Sequence, residues 1–525
     1  MIFRGPYPEV RIPVVPLADF IFEHAEKNAD VAAFIDGPTG RTITYRQLVG
    51  AIRRCATGLS KKGFKKGDVF AIYSPNLPEY AIAWHAVALL GGINTTVNPL
   101  YTVDELTFQL KDSGAKYLLT IPPFLDKATD AARRAGIPEV LVFGEAPGAT
   151  PFASLLDNDG NAPKVDIDPR KDLVALPYSS GTTGLPKGVM LTHHNLVSNI
   201  AQCEPVGAVP ESETLVGILP FFHIYGMVVI LNAGLRAGAR IVTMPRFDLE
   251  QFLGLVQQHR VTRAHLVPPI VLALAKHPVV ANYDLSALRV IISGAAPLDA
   301  ALANACATRL KCIVNQGYGM TEASPVTHLN PEQKIKMGSV GPLLPNTEAK
   351  VLELESGKAL GPNQNGEICI RGPQVMQGYH HWPEDQRSII DADGFLHSGD
   401  VGYVDEDGYF YVVDRVKELI KYKGMQIAPA ELEALLLTHP AVADAAVIPS
   451  PDTEAGEVPK AFVVLKGQVA QDALLAYVAE RVAPHKKIRM LEVVEQIPKS
   501  ASGKILRRVL VERERERVKA ASGQA

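Results

Sequence analysis

Apolar segments of strand length alternate with helix patterns over roughly the first 400 residues, and this alternation restricts the fold more than any other feature of the chain. Such alternation is typical of α/β construction, in which helices cover a sheet. Glycine or proline follows most of the strand patterns, as expected where a chain turns sharply. The strand patterns at 68–76 (core Val69–Tyr73), 116–121 and 288–294 each precede a helix pattern, the first of them at 78–90. The sequence therefore predicts a mixed α/β fold.

A boundary between a large and a small domain is predicted near residues 414–417. Residues 397–414 before it have a hairpin pattern, with DEDG at 405–408 as the turn. After it, strand patterns at 445–450 and 460–465 alternate with helix patterns at 428–437 and 471–482. We therefore predict an N-terminal domain at 1–414 and a C-terminal domain at 415–525. The alternating charges of ERERER at 512–517 indicate a solvated helix face.

The composition excludes several classes of protein. The net charge of −3 argues against a dedicated nucleic-acid binder, which needs a clustered excess of Lys and Arg. Five scattered cysteines without CxxC spacing favour a reducing compartment and exclude a disulfide framework and a cysteine-rich zinc site. Residues 215–235 carry no formal charge, but Pro220, His223, Gly226 and Asn232 favour a buried strand, turn and helix over a membrane span. Because the start of the chain lacks the pattern of a signal peptide, we expect a cytoplasmic protein without an integral membrane segment.

The segment YSSGTTGLPKGV at 178–189 is the strongest local signal for a ligand. Small hydroxyl and glycine residues let backbone N–H groups approach phosphate oxygens, and Lys187 adds a mobile positive charge. The segment is not a Walker A loop, because Pro186 stands at the position of the second glycine and Gly188 follows the lysine. The alternative is an ordinary flexible loop, but the hydroxyl run, the lysine and the preceding apolar residues favour phosphate binding.

Two further segments contain residues suited to a nucleotide. QGYGMTE at 316–322 combines a ring that can stack on a base with Thr321 and Glu322, whose hard oxygens suit magnesium. Taken alone, this segment is equally compatible with an ordinary turn. In HSGD at 397–400, Asp400 can accept two ribose hydroxyls, and Arg415 can hold a ribose or phosphate from the other side. The charges at 417–421 could instead form one exposed helix face, and Lys504, in a Ser/Gly loop before a basic helix, means little by itself.

Seven segments together resemble the adenylate-forming superfamily of acyl-CoA synthetases, luciferases and peptide-synthetase adenylation domains. In order along the chain they are SSGTTGLPKG, PFFHIYGM, SGAAPL, QGYGMTE, HSGD, DRVKELIKYKGMQ and PKSASGKILRR. The resemblance extends from about Arg41 to Arg508, and PFFHIYGM and KELIKYKGMQIAPAELE are most similar to the 4-coumarate–CoA ligase-like branch. It implies a large N-terminal domain of two sheets flanked by helices plus a distorted β-barrel, and a small mobile C-terminal α+β domain.

The resemblance also implies a two-step reaction that uses ATP, Mg²⁺ and coenzyme A. A carboxylate attacks the α-phosphate of ATP to give an acyl-adenylate and pyrophosphate, and the thiol of coenzyme A then displaces AMP. We favour an aryl or arylpropenoic acid as the small-molecule substrate, with medium- to long-chain fatty acids as the alternative. An adenylating enzyme with another acceptor, either oxygen or a carrier protein, and an inactive binding protein are the other classes considered. We expect a monomer or a homodimer.

The resemblance assigns roles to residues of this chain that match the family motifs. Residues that would hold the β- and γ-phosphates are Ser179, Ser180, Gly181, Thr182, Thr183 and Lys187. Residues implied around the rest of the nucleotide are Gln316, Gly317, Tyr318, Thr321, Asp400, Arg415 and Lys417, the last of them at the hinge between the domains. Glu322 would bind magnesium. Residues implied in catalysis are Lys504, which would stabilise the first transition state, together with Thr183, Glu322, His223, Lys421 and Gln426.

The remaining implied residues contact the acyl group or coenzyme A. His223 would orient the acyl group or the incoming carboxylate. The acyl pocket would be lined by His223, Tyr225, Val229, Ile292, Ala295, Gly317, Pro325 and Val326. Coenzyme A would contact Arg246, Lys423 and Gly424. Arg246 departs from the family pattern, which often has lysine there, although either cation could serve.

Overall fold

The computed structural model describes residues 1–179, 186–381, 389–423, 425–452, 454–500 and 503–521. Two compact units can be distinguished by their internal contacts. The larger unit consists of Arg4–Glu348 and Ile370–Leu396, and the smaller unit of Met1–Phe3, Ala349–Cys369 and His397–Ala525. Because residues 397–414 belong to the smaller unit, this division differs from a cut after residue 414. The predicted domains 1–414 and 415–525 stay a prediction.

The larger unit is built on two sheets. The first sheet has nine described strands, in the order Tyr178–Ser179, Lys187–Thr192, Leu173–Ala175, Ile93–Val97, Val69–Tyr73, Ala115–Thr120, Val140–Val142 and Thr150–Pro151, with Gly378–Tyr379 added beside Lys187–Thr192. The second sheet has the order Val326–Leu329, Ile313–Gly319, Val290–Ser293, Arg263–Leu266, Thr214–Gly217, Arg240–Thr243, Ala32–Asp36 and Thr42–Thr44. Both sheets have central parallel strands, and the apolar, fully buried strands Val69–Tyr73 and Val290–Ser293 are typical of sheets covered on both faces.

The smaller unit contains most of a third sheet and all of a fourth. The third sheet has the order Phe3–Arg4, Glu348–Leu352, Gly366–Arg371, Leu396–Val404 and Phe410–Arg415. The fourth sheet has the order Met425–Ile427, Ile420–Tyr422, Gly456–Leu465 and Val442–Asp452, with Met490–Val493 parallel to Gly456–Leu465. Together the four sheets and their helices confirm the predicted mixed α/β class.

Most of the described α-helices belong to the larger unit. The α-helices are Leu17–Phe22, Tyr45–Lys61, Pro78–Leu89, Val103–Asp112, Leu125–Ala135, His193–Cys203, Gly234–Arg236, Leu249–Gln258, Pro268–Lys276, Ala300–Leu310, Pro429–Leu437, Gln471–Ala479 and Arg507–Ala521. The 3₁₀ segments are Pro122–Phe124, Phe152–Leu156, Pro278–Asn282, Thr321–Ala323 and Pro484–Lys486, and Tyr225–Ala233 is a π-helix. Within the described residues, none of these helices has both the length and the apolar character needed to cross a membrane.

The segment at 215–235 has the predicted order of strand, turn and helix. Thr214–Gly217 is a fully buried strand between two parallel neighbours, and eight of the nine residues of Tyr225–Ala233 are buried. The absence of charge in this segment therefore reflects the core of the larger unit.

The alternating charges at 512–517 lie mostly on an exposed helix surface, as predicted, and Glu514 is the exception. They lie in the helix Arg507–Ala521, where Glu514 is only 1% exposed and accepts hydrogen bonds from Ser450 and Lys460. Lys460 is itself 4% exposed. A buried ion pair thus connects this helix to the fourth sheet. The alternation of charges in the sequence does not indicate that Lys460 is the partner of Glu514.

Candidate functional site

The strand Lys187–Thr192 begins within the predicted phosphate-binding segment at 178–189 and fixes the position of its end. Tyr178 pairs with Gly188 and Ser179 with Lys187, so the two sides of the segment meet as an antiparallel hairpin. Four residues predicted to bind phosphate lie outside the described residues: Ser180, Gly181, Thr182 and Thr183. The described part places Ser179 and Lys187 at the mouth of this hairpin.

Tyr379 brings Lys187 and Glu322 to the same place in the larger unit. Its strand Gly378–Tyr379 pairs with the strand of Lys187, with Val189 opposite Tyr379. Its hydroxyl donates a hydrogen bond to Glu322 Oε1 at 2.8 Å, and Lys187 Nζ lies 4.8 Å from the centre of its ring. A cation suited to phosphate and a carboxylate suited to a divalent cation therefore share one neighbour.

The segments SGAAPL and QGYGMTE follow adjacent parallel strands of the second sheet. Ser293 at the end of Val290–Ser293 is paired with Gln316 in the next strand. Because the carboxyl ends of parallel strands lie at one edge of a sheet, both segments begin at that edge, where ligands bind in open α/β sheets. The chain then returns as the antiparallel strand Val326–Leu329. Gly319 allows this tight return, since a Cβ there would lie 2.1 Å from the Pro325 carbonyl oxygen.

Gln316 has a structural task at this edge. Its Oε1 accepts a hydrogen bond from the Leu298 backbone at 3.2 Å, and its Nε2 donates to the Ser339 carbonyl oxygen at 3.1 Å. These bonds connect the SGAAPL segment to the segment after residue 330. The neighbouring Tyr318 ring is half-buried and packs at 5.5 Å from the His328 ring.

His223 and Tyr225 lie at the start of the π-helix Tyr225–Ala233. The Tyr225 backbone N–H donates to His223 Nδ1 at 3.3 Å, which fixes the imidazole orientation. The Tyr225 hydroxyl lies 3.2 Å from both His265 Nδ1 and the Ile292 carbonyl oxygen. Burial lowers the pKa of His265 to about 3, so its imidazole is neutral around pH 7.

Other predicted acyl-pocket residues lie close to this pair. Ile292 belongs to an apolar cluster on which Val326 also packs, and the Tyr225 ring leaves no room for a side chain at Gly294. Val229 and Pro325 are buried, Gly317 is half-buried, and Ala295 is exposed. Ala295 also has a φ of 68°, a left-handed conformation that L-residues adopt at a cost.

In the smaller unit, Asp400 and Arg415 form the predicted pair. They lie directly opposite each other on adjacent strands, and Arg415 Nε is 3.3 Å from Asp400 Oδ1. Asp400 is 6% exposed. The turn before it is fixed by Glu367, whose carboxylate accepts the Gly399 N–H at 3.0 Å and lies 2.9 Å from His397 Nδ1.

Lys504 lies near this pair, at the end of a short loop. The Lys504 N–H donates to Ser500 Oγ at 3.1 Å, and its carbonyl oxygen accepts the Ser500 N–H at 2.8 Å. Burial of the ammonium group and the charge of Arg415 lower the pKa of Lys504 to about 8, although Glu418 and Asp400 act in the opposite direction. A half-buried lysine of this kind changes its protonation state close to physiological pH.

Arg507, three residues further on, anchors the helix that follows the loop. It forms ion pairs with Glu418 and with Glu433, the latter at 2.6 Å. Burial raises the pKa of Glu433 to about 7, against the influence of Arg507. These contacts hold the start of Arg507–Ala521 and thereby the adjacent Lys504 loop.

The residues predicted at the hinge and on the coenzyme A side are mostly exposed. Lys421 and Gln426 pair across the hairpin of Ile420–Tyr422 and Met425–Ile427. Lys423, between these strands, lines a cavity of about 270 Å³ together with Tyr422, Asp452 and Arg489. Gly424 lies outside the described residues. The exposed residues of this group are Arg246, Lys417, Lys421, Lys423 and Gln426.

Sequence reasoning missed three residues that organise these groups: Tyr379, Glu367 and Arg507. Each acts through a neighbour distant in sequence, such as Glu322 for Tyr379 or Glu433 for Arg507. The only local signals were an aromatic residue after glycine in QGYHHW and an arginine directly after the Lys504 loop.

Comparisons with known proteins show to which family the chain belongs. The sequence matches the AMP-binding enzyme family over residues 21–380 and the AMP-binding enzyme C-terminal domain over residues 431–504. It is 45% identical to "4-coumarate--CoA ligase 2" of Petroselinum crispum, over 100% of this chain and 97% of the relative.

Two solved structures have the same fold. ATP-bound MatB from Rhodopseudomonas palustris superposes with a TM-score of 0.88 at 29% identity, over 95% of this chain and 99% of that chain. The anthranilate CoA ligase AuaEII in complex with anthranoyl-AMP gives a TM-score of 0.87 at 25% identity, over 98% and 99% of the two chains. The chain belongs to the AMP-binding, adenylate-forming enzyme family, within which it is similar to 4-coumarate–CoA ligases.

Proposed function

We propose that this protein is an AMP-forming acid–CoA ligase that acts on arylpropenoic acids of the 4-coumarate type. The observation that carries the proposal is the position of Lys504, whose half-buried ammonium group lies near the Asp400–Arg415 pair. The pair suits a ribose and its phosphate, and the lysine suits the charge that develops at phosphorus. Similarity to 4-coumarate–CoA ligases over the whole chain supports the same reaction.

In the first step, a carboxylate oxygen of the acid attacks the α-phosphorus of ATP, and the bond to pyrophosphate breaks. We assign to Lys504 the stabilisation of the charge on the α-phosphate and the substrate carboxylate. Lys187, with Ser179 and the residues at 180–183, holds the β- and γ-phosphates. Thr321 lies near the α-phosphate, and the QGYG segment lines the adenine. Positioning and electrostatic stabilisation supply most of the acceleration in such a step.

Mg²⁺ fits the oxygen donors of the larger unit. Glu322 offers a buried carboxylate and Thr321 a hydroxyl, which are the hard ligands that magnesium prefers. When bound, the ion neutralises phosphate charge. Glu322 would hold it, and Lys187 would bind the same phosphates.

In the second step, the sulfur of coenzyme A attacks the acyl carbonyl carbon and the bond to AMP breaks. We assign coenzyme A contacts to Arg246, Lys423 and Gly424, and contacts with the adenylate to Lys421 and Gln426. We further propose that the C-terminal domain rotates about Lys417 between the two steps, so that different residues reach the acyl-adenylate. The proposed location is the cytoplasm, which the five free cysteines support.

The proposed acid is bound by residues around the π-helix. Tyr225, Ile292 and Val326 would contact the acyl group, His223 would orient its carboxylate, and Ala295 and Gly317 leave room for a planar ring. The relative AuaEII, solved with anthranoyl-AMP, is likewise a ligase of an aromatic acid. Such a pocket distinguishes two acids that differ by one methylene by only ~1–3 kcal/mol, so the acid must be found by direct comparison.

The test is an assay of a panel of arylpropenoic, benzoic and fatty acids with ATP, with and without coenzyme A. We expect AMP, pyrophosphate and a thioester, with the highest kcat/KM for an arylpropenoic acid and no activity with GTP. The comparison variant is Lys504→Ala, in which the overall reaction should be slowed by ~10²–10³-fold. Release of ADP and phosphate would overturn the ligase assignment, and a preference for fatty acids would overturn the substrate class.

A further inference from the structure

Tyr379 stands between two groups of opposite charge without neutralising either. Its side chain is 6% exposed, its hydroxyl donates to Glu322 Oε1 at 2.8 Å, and Lys187 Nζ lies 4.8 Å from its ring centre. An acidic residue at this position would pair with the lysine, and a basic residue would pair with the carboxylate. A phenol offers a hydrogen-bond donor at one end and a negative π-face at the other.

We propose that Tyr379 is a positioning residue for the metal–nucleotide complex, one that orients Glu322 through its hydroxyl and Lys187 through its ring. The inference rests on the proposed function, since it assumes that Glu322 faces a divalent cation and Lys187 a phosphate. Tyr379 itself touches neither ligand in this scheme. It determines where the two opposite charges are held.

The backbone around Tyr379 makes this positioning rigid. The Met376 N–H donates to the Glu322 carbonyl oxygen at 2.9 Å, and the Gln377 N–H donates to the Met190 carbonyl oxygen at 3.0 Å. The segment 376–379 is therefore fastened both to the Glu322 turn and to the strand of Lys187. The Tyr379 side chain, which extends from this segment, therefore has little freedom to move with Glu322 or Lys187.

The hydroxyl contact leaves Glu322 able to bind a cation. A carboxylate has about four lone-pair sites, and one phenolic proton occupies one of them. Because the carboxylate is buried, fixing one oxygen reduces the conformations from which the other lone pairs can meet the ion. The conformational entropy of the Glu322 carboxylate is therefore lost during folding, before the nucleotide binds.

The test compares ATP binding with and without magnesium in the full-length protein. Isothermal titration of ATP in excess MgCl₂ and in EDTA gives two dissociation constants for each variant. For Tyr379→Phe, which keeps the ring, we expect the constant in MgCl₂ to rise about 10-fold, as for loss of one hydrogen bond to a charged group. The constant in EDTA should stay within about 2-fold, because the cation–π contact with Lys187 is retained.

Tyr379→Leu removes the ring as well, so both constants should rise, the one in EDTA by roughly 3-fold. The matched control is Tyr117→Phe, in the first-sheet strand Ala115–Thr120. It removes a hydroxyl that donates a hydrogen bond to the Lys62 carbonyl oxygen at 3.0 Å, and it should change neither dissociation constant. Equal effects of Tyr379→Phe in MgCl₂ and EDTA, or no effect in either, would overturn the positioning role.

Glu322→Gln separates this outcome from a failure of the proposed function. Suppose that magnesium no longer increases the ATP affinity of Glu322→Gln, while Tyr379→Phe binds ATP like the wild type. This result would refute only the role of Tyr379. If wild-type protein bound ATP no more tightly with magnesium than without it, the assumption about Glu322 would fail first.

Discussion

At the scale of single residues, Lys504 predicts a pH dependence of the first step. Its ammonium group stabilises negative charge only while protonated, and its pKa is lowered to about 8, chiefly by burial. The protonated fraction, and with it kcat/KM for ATP in acyl-adenylate formation, should fall as the pH rises above about 8. Pyrophosphate release measured between pH 6 and 10 checks this, since kcat/KM reports groups of the free enzyme.

The control is Lys504→Arg, whose guanidinium stays charged over that range. Its activity should be lower than that of the wild type, but its profile should lack the decline near pH 8. A decline retained in Lys504→Arg would assign the titration to another group.

Ala295 gives a second prediction at this scale, concerning stability. Its φ of 68° is favourable only for glycine, so Ala295→Gly should raise the free energy of unfolding by about 1 kcal/mol. The same change removes one methyl group from the lining of the proposed acyl pocket, so it should cause no loss of activity toward bulky acids. Ala295→Phe should do the reverse, impairing bulky acids more than short ones. Thermal unfolding and an acid panel on both variants measure the two effects; lower stability of Ala295→Gly would contradict the strain argument.

Residue types could be predicted from motifs, but their partners could not. Asp400 and Arg415 were expected together, and the structure places them directly opposite each other. Tyr379 was not expected, because its relation to Glu322 depends on a two-residue strand, too short to give any periodic signal. Gln316 was expected at the adenine, but its side chain also connects two backbone segments by hydrogen bonds. The spacing of residues in the sequence does not indicate such bonds.

At the scale of elements, the helix Arg507–Ala521 is held by a buried ion pair whose loss should be measurable. Lys460 Nζ is 2.6 Å from Glu514 Oε2. Burial opposes ionisation of Glu514, but hydrogen bonds from Arg517, Lys460 and Ser450 outweigh it and lower its pKa to about 2. Lys460→Met should therefore destabilise the protein by about 1–3 kcal/mol, since the buried carboxylate loses one of its three donors while Arg517 and Ser450 remain.

The double variant Lys460→Met/Glu514→Leu should recover most of this loss, because two apolar groups then replace two charges. The control on the same helix is Glu512→Gln at an exposed pair with Arg508, which should cost no more than about 0.5 kcal/mol. Urea unfolding of the wild type, Lys460→Met, Glu514→Leu and the double variant measures the coupling, and Glu512→Gln is unfolded alongside them. Additive effects of the two buried substitutions would show that the pair contributes nothing as a pair.

Elements were predicted well where apolar runs were long. The strand core Val69–Tyr73 matches the structure, and the helix expected at 78–90 is Pro78–Leu89. The hairpin expected at 397–414 consists of Leu396–Val404 and Phe410–Arg415. The run at 417–421 forms a turn and the strand Ile420–Tyr422, so the alternative of an exposed helix face is wrong. Glu418 forms an ion pair with Arg507, 89 residues away in the sequence, and such pairing does not depend on helical spacing.

At the scale of the whole molecule, the proposed rotation predicts that the two half-reactions can be separated by mutation. Lys504→Ala should slow adenylation by ~10²–10³-fold, as for other single stabilisers of a charged transition state. It should spare thioester formation from a supplied acyl-adenylate. Lys417→Pro should do the reverse, because a fixed φ at an exposed hinge hinders rotation while leaving the first step accessible.

Single-turnover pyrophosphate release and thioester formation, measured on both variants, test this separation. Arg246→Ala serves as a comparison, because a residue assigned only to coenzyme A should affect the second step alone. Equal loss of both steps in Lys504→Ala and in Lys417→Pro would mean that rotation does not organise the reaction.

The short strand Phe3–Arg4 has a consequence for how the protein is made. It pairs with Glu348–Leu352 in the third sheet, and the Phe3 ring packs edge-on against Phe410 at 6.1 Å. At about 5–20 residues per second, the ribosome needs roughly 20–70 seconds to deliver that partner strand after Phe3 has been synthesised. The strand Phe3–Arg4 must therefore stay unpaired until its partner has been translated, so the third sheet can close only after every described strand of the second sheet has been synthesised.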